Sequence, residues 1–249
     1  MYPRYGYPWR IVLGVGGQLL LGGRRSFRAD ARACLDCLRP ALQLYGAEHI
    51  PRVGPALVTV NHYHRPGFGA WWIALAVASV VPVEMHWTMT DEWTCTGRRH
   101  AAAGRAASRW LLRRVAGLYG FTAMPPMPPR PEDAARRALA VRRVLEFVRA
   151  HPDAVLGLAP EGRDTPGGVL SWPAPGTGHL IWRLAEMGFR VTPAAVYEQD
   201  GRFCLRFGPA YRPETTMGLS AREKDRLIAQ MVMRAIASLL PPSLRGEFT

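Results

Sequence analysis

From Tyr45 onward, short apolar runs alternate with segments of helical periodicity, and this alternation constrains the fold more than any other feature of the chain. Residues 56–60 form a mostly apolar run that predicts a buried strand, and residues 69–81 predict the helix that follows it. Strands that alternate with helices are typical of an α/β domain. Further strands are predicted at 83–89, 154–158, 191–197 and 203–207, and further helices at 98–115, 131–150, 178–187 and 220–240.

The chain is strongly basic and long enough for one large domain. It has 249 residues, with 32 Lys and Arg against 19 Asp and Glu and a formal charge of +13, and Lys224 is its one lysine. Such a charge favours phospholipid headgroups, nucleic acid or phosphate-bearing substrates as partners. Because the arginines are spread over several predicted elements and no known nucleic-acid-binding module is present, we predict no nucleic-acid partner.

The cysteines do not predict a crosslinked or metal-dependent fold. Four cysteines at irregular spacing are too few for a disulfide framework. Cys34 and Cys37 are predicted to be neighbours on one helix, with a redox pair or a zinc site as the alternative. We predict no metal.

The apolar stretch at residues 11–23 raises the question of a membrane. It is shorter than the roughly 20 residues of a spanning helix, and glycines interrupt it. Arginines flank it on both sides, and Trp9 with three tyrosines precedes it, a composition typical of an interfacial segment. An ordinary core helix and a secretory signal are the alternatives. We predict a helical, membrane-associating segment at 1–43 and an α/β domain at 44–249.

Two polar clusters each follow a predicted strand. Residues 61–65 read N-H-Y-H-R, and residues 159–164 read A-P-E-G-R-D. Open α/β sheets place reactive groups at the carboxyl ends of their strands. The two clusters are therefore expected to form one site with a base, an anion ligand and an orienting acid.

These clusters belong to a longer series of motifs in a fixed order. Over residues 44–212 the chain resembles the phospholipid/glycerol acyltransferase family, of the 1-acylglycerol-3-phosphate acyltransferase type. The motifs that carry the resemblance are Y-G-A-E-H-I-P-R-V-G-P-A-L-V-T-V-N-H at 45–62, L-A-P-E-G-R at 158–163, G-V-L at 168–170, G-T-G at 176–178, V-T-P-A-A-V at 191–196 and F-G-P-A-Y at 207–211.

The resemblance implies a fold and an activity. The implied fold is a mixed, largely parallel central sheet flanked by helices. The implied reaction moves an acyl chain from an acyl-CoA or acyl-carrier-protein thioester to a hydroxyl of a lysophospholipid or related lipid, at the cytoplasmic face of the membrane. It needs no cofactor beyond that co-substrate, and its partners include an anionic membrane surface.

The resemblance also implies roles for individual residues. His62 falls at the position of the general base, which takes the proton of the acceptor hydroxyl. The expected substrate-binding residues are Asn61, Arg65, Glu161, Gly162 and Arg163. Arg163 is the expected anion ligand, because a guanidinium binds phosphate through two hydrogen bonds.

The chain departs from the family pattern at three places. The family writes its first motif H-x-x-x-x-D, and Gly67 stands where that acid belongs. Asp91, Glu92 and Asp164 are candidates for a carboxylate supplied from elsewhere. The phosphate-binding arginine of the second motif is absent, with Arg130 the nearest candidate, and Asp164 stands where the arginine of E-G-T-R belongs.

Other interpretations stay open. Because Gly67 cannot orient an imidazole, a catalytically weak or inactive member that binds lipid or acyl chains is the main alternative. A hydrolase lacks support, since no G-x-S-x-G motif is present. His64 is predicted to be a turn histidine, with a helper or a replacement base as the alternatives.

Overall fold

The computed structural model describes residues 2–93, 101–215 and 218–248, which form one seven-stranded sheet with helices around it. The strands are β1 (Gln43–Tyr45), β2 (Ala56–Val60), β3 (Met85–Thr90), β4 (Thr122–Met124), β5 (Val155–Leu158), β6 (Arg190–Gln199) and β7 (Arg202–Phe207). The helices are α1 (Trp9–Leu21), α2 (Phe27–Leu35), α3 (Trp71–Val80), α4 (Ala101–Tyr119), α5 (Ala134–Ala150), α6 (Thr177–Glu186) and α7 (Ala221–Ala237).

The sheet is mixed and largely parallel, which confirms the expected fold class. Its strand order is β1-β7-β6-β2-β5-β3-β4. Neighbouring strands are parallel except β6 and β7, which form a hairpin. The central strand β2 is buried along its whole length and pairs with both β5 and β6. The carboxyl ends of β2, β3, β4, β5 and β6 therefore meet at one edge of the sheet.

Local sequence signals explain most boundaries. The hairpin between β6 and β7 turns at Asp200 and Gly201, which both have positive φ, as the Asp-Gly pair predicts. The capping box from Ser220 to Glu223 opens α7. The basic helix predicted at 98–115 begins in the described part of the chain at Ala101, and Arg98, Arg99 and Cys95 lie outside the described residues.

The two N-terminal helices differ in how they pack. Helix α2 lies against α3 and buries Ala31 and Cys34 in the common core, and Cys34 and Cys37 are both free. Helix α1 buries none of its residues and contacts α2 and α4. Within the described ranges, no helix has both the length and the apolar character needed to span a bilayer.

Candidate active site

Two loops meet at the carboxyl edge of the sheet, the β2 loop (residues 61–70) and the β5 loop (residues 159–168). Asn61 starts the first of them and is fully buried. Its amide nitrogen donates to the Val196 carbonyl oxygen at 2.9 Å, and its amide oxygen accepts from the Val196 backbone N–H at 2.7 Å. Asn61 therefore continues the pairing of β2 with β6, and its expected contact with substrate stays a prediction.

Glu161 holds the two loops together. One carboxylate oxygen accepts from the His62 backbone N–H at 2.7 Å, and the other accepts from the Ser171 N–H at 2.8 Å. The side chain is almost entirely buried, and burial raises the pKa of Glu161 although these hydrogen bonds oppose the shift. The carboxylate expected to bind the acceptor is thus occupied by backbone, and it fixes where His62 sits.

The ring of His62 lies against a carboxylate from the β5 loop. His62 Nδ1 is 3.1 Å from Asp164 Oδ1, and His64 Nδ1 is 3.4 Å from the same oxygen. The His62 side chain is 19% exposed, whereas Asp164 is 53% exposed. Of the three acids considered as orienting groups, Asp91, Glu92 and Asp164, it is Asp164 that lies at the imidazole.

The contact between His62 and Asp164 is close but oblique. His62 Nδ1 has no well-directed hydrogen bond although Asp164 Oδ1 is 3.1 Å away. The contact with His62 lowers the pKa of Asp164, the charge of His64 adds to the effect, and partial burial opposes it. Asp164 is thus an anion at neutral pH.

The opposite nitrogen of His62 faces away from this carboxylate. Nε2 forms no hydrogen bond with any group in the described ranges and is not enclosed. An imidazole whose Nδ1 faces a carboxylate and whose Nε2 is open has the arrangement of a general base.

The backbone explains why position 67 does not supply the acid. Gly67 has a φ of +80°, in the left-handed region that side chains other than glycine rarely adopt. A carboxylate there would strain the β2 loop as it is folded. Asp164 reaches the ring from the other loop instead.

Arg65 belongs to a polar cluster that the sequence did not indicate. Its guanidinium pairs with both oxygens of Glu198, which also accept from the hydroxyls of Tyr5 and Tyr63. Glu198 is buried near the end of β6, and its partners come from 133 and more residues away. Arg65 therefore ties the β2 loop to β6 through Glu198, which also binds Tyr5 of the N-terminal segment, and its expected role in binding substrate stays a prediction.

Gly162 and Arg163 form the exposed tip of the β5 loop. Gly162 has a φ of +62°, which a tight turn here requires. Arg163 is exposed and forms no ion pair with any residue of the described ranges. Its guanidinium is exposed at the tip of the loop that also carries Asp164.

Asp91 and Glu92 follow β3 at the same sheet edge but face arginines. Asp91 accepts from Arg113 and Arg136, and Glu92 accepts from Arg109 and Arg130. Both carboxylates are buried. Asp91 is therefore not the orienting acid, because its ion pairs are made in a separate cluster.

A metal ion has no ready place in this site. Across residues 2–93, 101–215 and 218–248, no three His, Cys, Asp or Glu side chains are grouped to hold one. The chemistry that the site offers is that of an imidazole, a carboxylate and an exposed guanidinium.

Comparison with known proteins places the fold in a class. The sheet and its flanking helices have the acyltransferase fold. A structure that shares it is the 1-acyl-sn-glycerophosphate (LPA) acyltransferase PlsC from Thermotoga maritima, with a TM-score of 0.57 and 14% sequence identity over 93% of this chain and 92% of that one. No protein-family model and no curated protein matches the chain.

Proposed function

We propose that the protein is an acyltransferase that moves a fatty acyl group from an acyl-CoA or acyl-carrier-protein thioester to a hydroxyl of a lysophospholipid or related lipid. The observation that carries the proposal is the contact of His62 Nδ1 with Asp164 at the carboxyl edge of an acyltransferase fold. Motif order alone left His62 without an acid.

The proposed reaction uses His62 twice. Its Nε2 takes the proton of the acceptor hydroxyl while that oxygen attacks the thioester carbonyl carbon. When the tetrahedral intermediate collapses, the carbon–sulfur bond breaks and the same Nε2–H returns its proton to the leaving thiolate. Asp164 stabilises the imidazolium that exists between these two steps. No acyl-enzyme is formed.

Other residues bind and position. Arg163 is the proposed ligand of an anionic group on the acceptor, because it is exposed, unpaired within the described ranges and next in the chain to Asp164, which contacts the base. Gly162, with its positive φ, lets the β5 loop turn directly before Arg163 and Asp164.

The test is release of thiol from palmitoyl-CoA or palmitoyl-carrier protein against a panel of lysophospholipids and neutral acceptors. We expect acceptor-dependent release by the wild type and a rate about 10³-fold lower for His62→Gln, since general base catalysis contributes roughly this much. His49→Gln, at a partly exposed histidine before β2, serves as the matched control. Folded wild-type protein that releases no thiol with any pair would favour the alternative, a lipid-binding protein without activity.

Association with the cytoplasmic face of a membrane is part of the proposal. Helix α1 presents large apolar side chains to solvent, among them Leu13 at 65% and Leu21 at 81% exposure, and exposed Arg10 and Arg24 border it. Apolar side chains beside arginines suit an anionic bilayer surface.

Flotation with phosphatidylglycerol vesicles tests this association. We expect Leu13→Ser and Leu21→Ser each to weaken binding about tenfold, since each removes a buried leucine side chain from the bound state. Val53→Ser is the control, because Val53 is 74% exposed and lies far along the chain from α1. Equal vesicle binding by all three variants would show that α1 does not contact the membrane.

A further inference from the structure

The carboxylate of Glu161 depends on two backbone donors, one from each side of the site. Its Oε2 accepts from the His62 N–H at 2.7 Å, and its Oε1 accepts from the Ser171 N–H at 2.8 Å. Because the side chain is buried, solvent does not replace a donor that moves away. The position of Ser171 therefore decides where Glu161 can hold the His62 backbone.

The residue before Ser171 is tied to a segment that follows helix α7. This post-α7 segment (residues 241–248) supplies the Leu244 carbonyl oxygen, which accepts from the Leu170 N–H at 2.9 Å. The Leu170 side chain is itself buried in the core. The backbone that leads into Ser171 is thus held by a hydrogen bond and by apolar packing.

The residue after Ser171 contacts the same segment through an aromatic pair. The ring of Trp172 packs against the ring of Phe248, with 5.0 Å between their centroids and a tilt of 59°. Phe248 is 4% exposed, so this contact belongs to the packed interior. Aromatic pairs of this kind stabilise beyond the area that they bury. Both neighbours of Ser171 are therefore held by the post-α7 segment.

The post-α7 segment comes so close to Leu170 that only glycine fits at position 246. Gly246 has a φ of +59°, and an added Cβ would lie 2.5 Å from the Leu170 carbonyl oxygen and 3.3 Å from Val169 Cγ1. Such a contact with backbone cannot be relieved by rotation of a side chain. A larger residue there would push the two backbones apart.

We propose that Gly246 and Phe248 are positioning residues for His62, which act on it through Ser171 and Glu161. A displacement of the post-α7 segment moves Ser171, the Glu161 carboxylate follows its donor, and the hydrogen bond to the His62 N–H weakens. The consequence for catalysis rests on the proposed function, in which His62 is the base.

The experiment is amide hydrogen exchange, followed by NMR in the full chain, for the wild type, Phe248→Ala and Gly246→Ala. We expect the amide protons of His62 and Ser171 to exchange about tenfold faster in both variants, because local opening becomes easier. The amide proton of Val58, in the buried strand β2, keeps its wild-type rate.

Two control variants separate this effect from a general loss of stability. Phe248→Leu keeps a buried apolar side chain and is expected to stay within about twofold of the wild type at His62. Gly218→Ala places a side chain at a φ of +89° where no atom lies within 4 Å of the added Cβ. It strains the backbone without touching Leu170, so it leaves His62 no more accelerated than Val58.

Three results would overturn the proposal: an unchanged His62 amide, equal acceleration of His62 and Val58, or acceleration that stops at Ser171. The exchange measurement needs no substrate, so it stands even if no acyl transfer is found. Where transfer is found, we expect Phe248→Ala to lower kcat about tenfold with KM unchanged, since a misplaced base slows the chemical step without weakening binding.

Discussion

Past β2 and β5, Asp164 lies half exposed against two imidazole rings, whereas past β3 the carboxylates of Asp91 and Glu92 are buried under guanidinium groups. Both groups stand at the carboxyl edge of one sheet. An arginine stays charged at every physiological pH, so a carboxylate paired with it is permanently neutralised. An imidazole gains and loses its proton near neutrality. The region with arginine partners is therefore structural, whereas the region with imidazole partners is able to carry out proton transfer.

The arginine region joins three elements that otherwise share few contacts. Arg109 and Arg113 come from α4, Arg130 from the loop before α5, and Arg136 from α5. Asp133 adds a third buried carboxylate, which accepts from Arg130 at 2.6 Å. The cluster therefore fastens α4 and α5 to the end of β3, and two arginines of the basic helix α4 turn toward buried carboxylates.

The comparison predicts its largest effect at Asp164. We expect Asp164→Asn to lower kcat about 10²-fold, less than removal of the base itself, because the imidazolium loses its carboxylate while His62 stays in place. Asp91→Asn is the matched variant and keeps the rate per folded molecule. Adding Gly67→Asp to Asp164→Asn gives no recovery, because the φ of +80° keeps a carboxylate there from the required geometry. Full recovery would show that the β2 loop can refold to supply its own acid.

A smaller effect, on stability, is expected at Glu92. Burial acts to raise the pKa of Glu92, but the hydrogen bonds and the charges of Arg109 and Arg130 together outweigh it and lower the pKa. We expect Glu92→Gln to reduce the free energy of unfolding by about 2 kcal/mol at pH 7, because Arg109 and Arg130 lose the carboxylate that balances their charge. The loss is smaller than for a fully buried pair, because both guanidinium groups are partly exposed and regain water. Urea denaturation measures this. Equal stability of variant and wild type at pH 7 would mean that the cluster does not fasten α4.

The stability measurement on Glu92→Gln can be extended by varying the pH and by comparison with the exposed Glu146–Arg142 ion pair. A lowered pKa stabilises the fold above the ordinary value of 4.5, and the wild type loses this contribution as the pH falls through the lowered value. The difference between wild type and Glu92→Gln should therefore shrink in acid. Glu146→Gln is the control, because Glu146 pairs with Arg142 at 2.8 Å on the exposed face of α5 and is expected to cost less than about 0.5 kcal/mol.

The elements that the sequence revealed are those with local signals. The apolar run of β2, the Asp-Gly turn and the capping box of α7 each depend on neighbouring residues, and all three were predicted. The edge strands β1 and β4 were missed, because three residues are too short to show alternation. Their pairing is decided by the strands beside them.

The site shows the same limit more sharply. The two polar clusters could be placed at one sheet edge, since that follows from strand direction alone. The acid that contacts His62 could not be predicted, because Asp164 lies 102 positions further along the chain. Only the three-dimensional structure distinguishes it from Asp91 and Glu92. Glu198 had one faint signal, a single acid at the end of an apolar strand.

His62 is positioned by two separate side chains: Glu161 binds its backbone N–H, and Asp164 contacts its ring. Glu161 decides where the histidine stands, and Asp164 decides how its ring is charged and turned. Because the backbone position of His62 is held by Glu161, the residue that supplies the second carboxylate, here Asp164, can be exchanged without moving His62. A designer could therefore supply this carboxylate from another segment, or replace it to change the basicity of the imidazole, while the His62 backbone keeps its position.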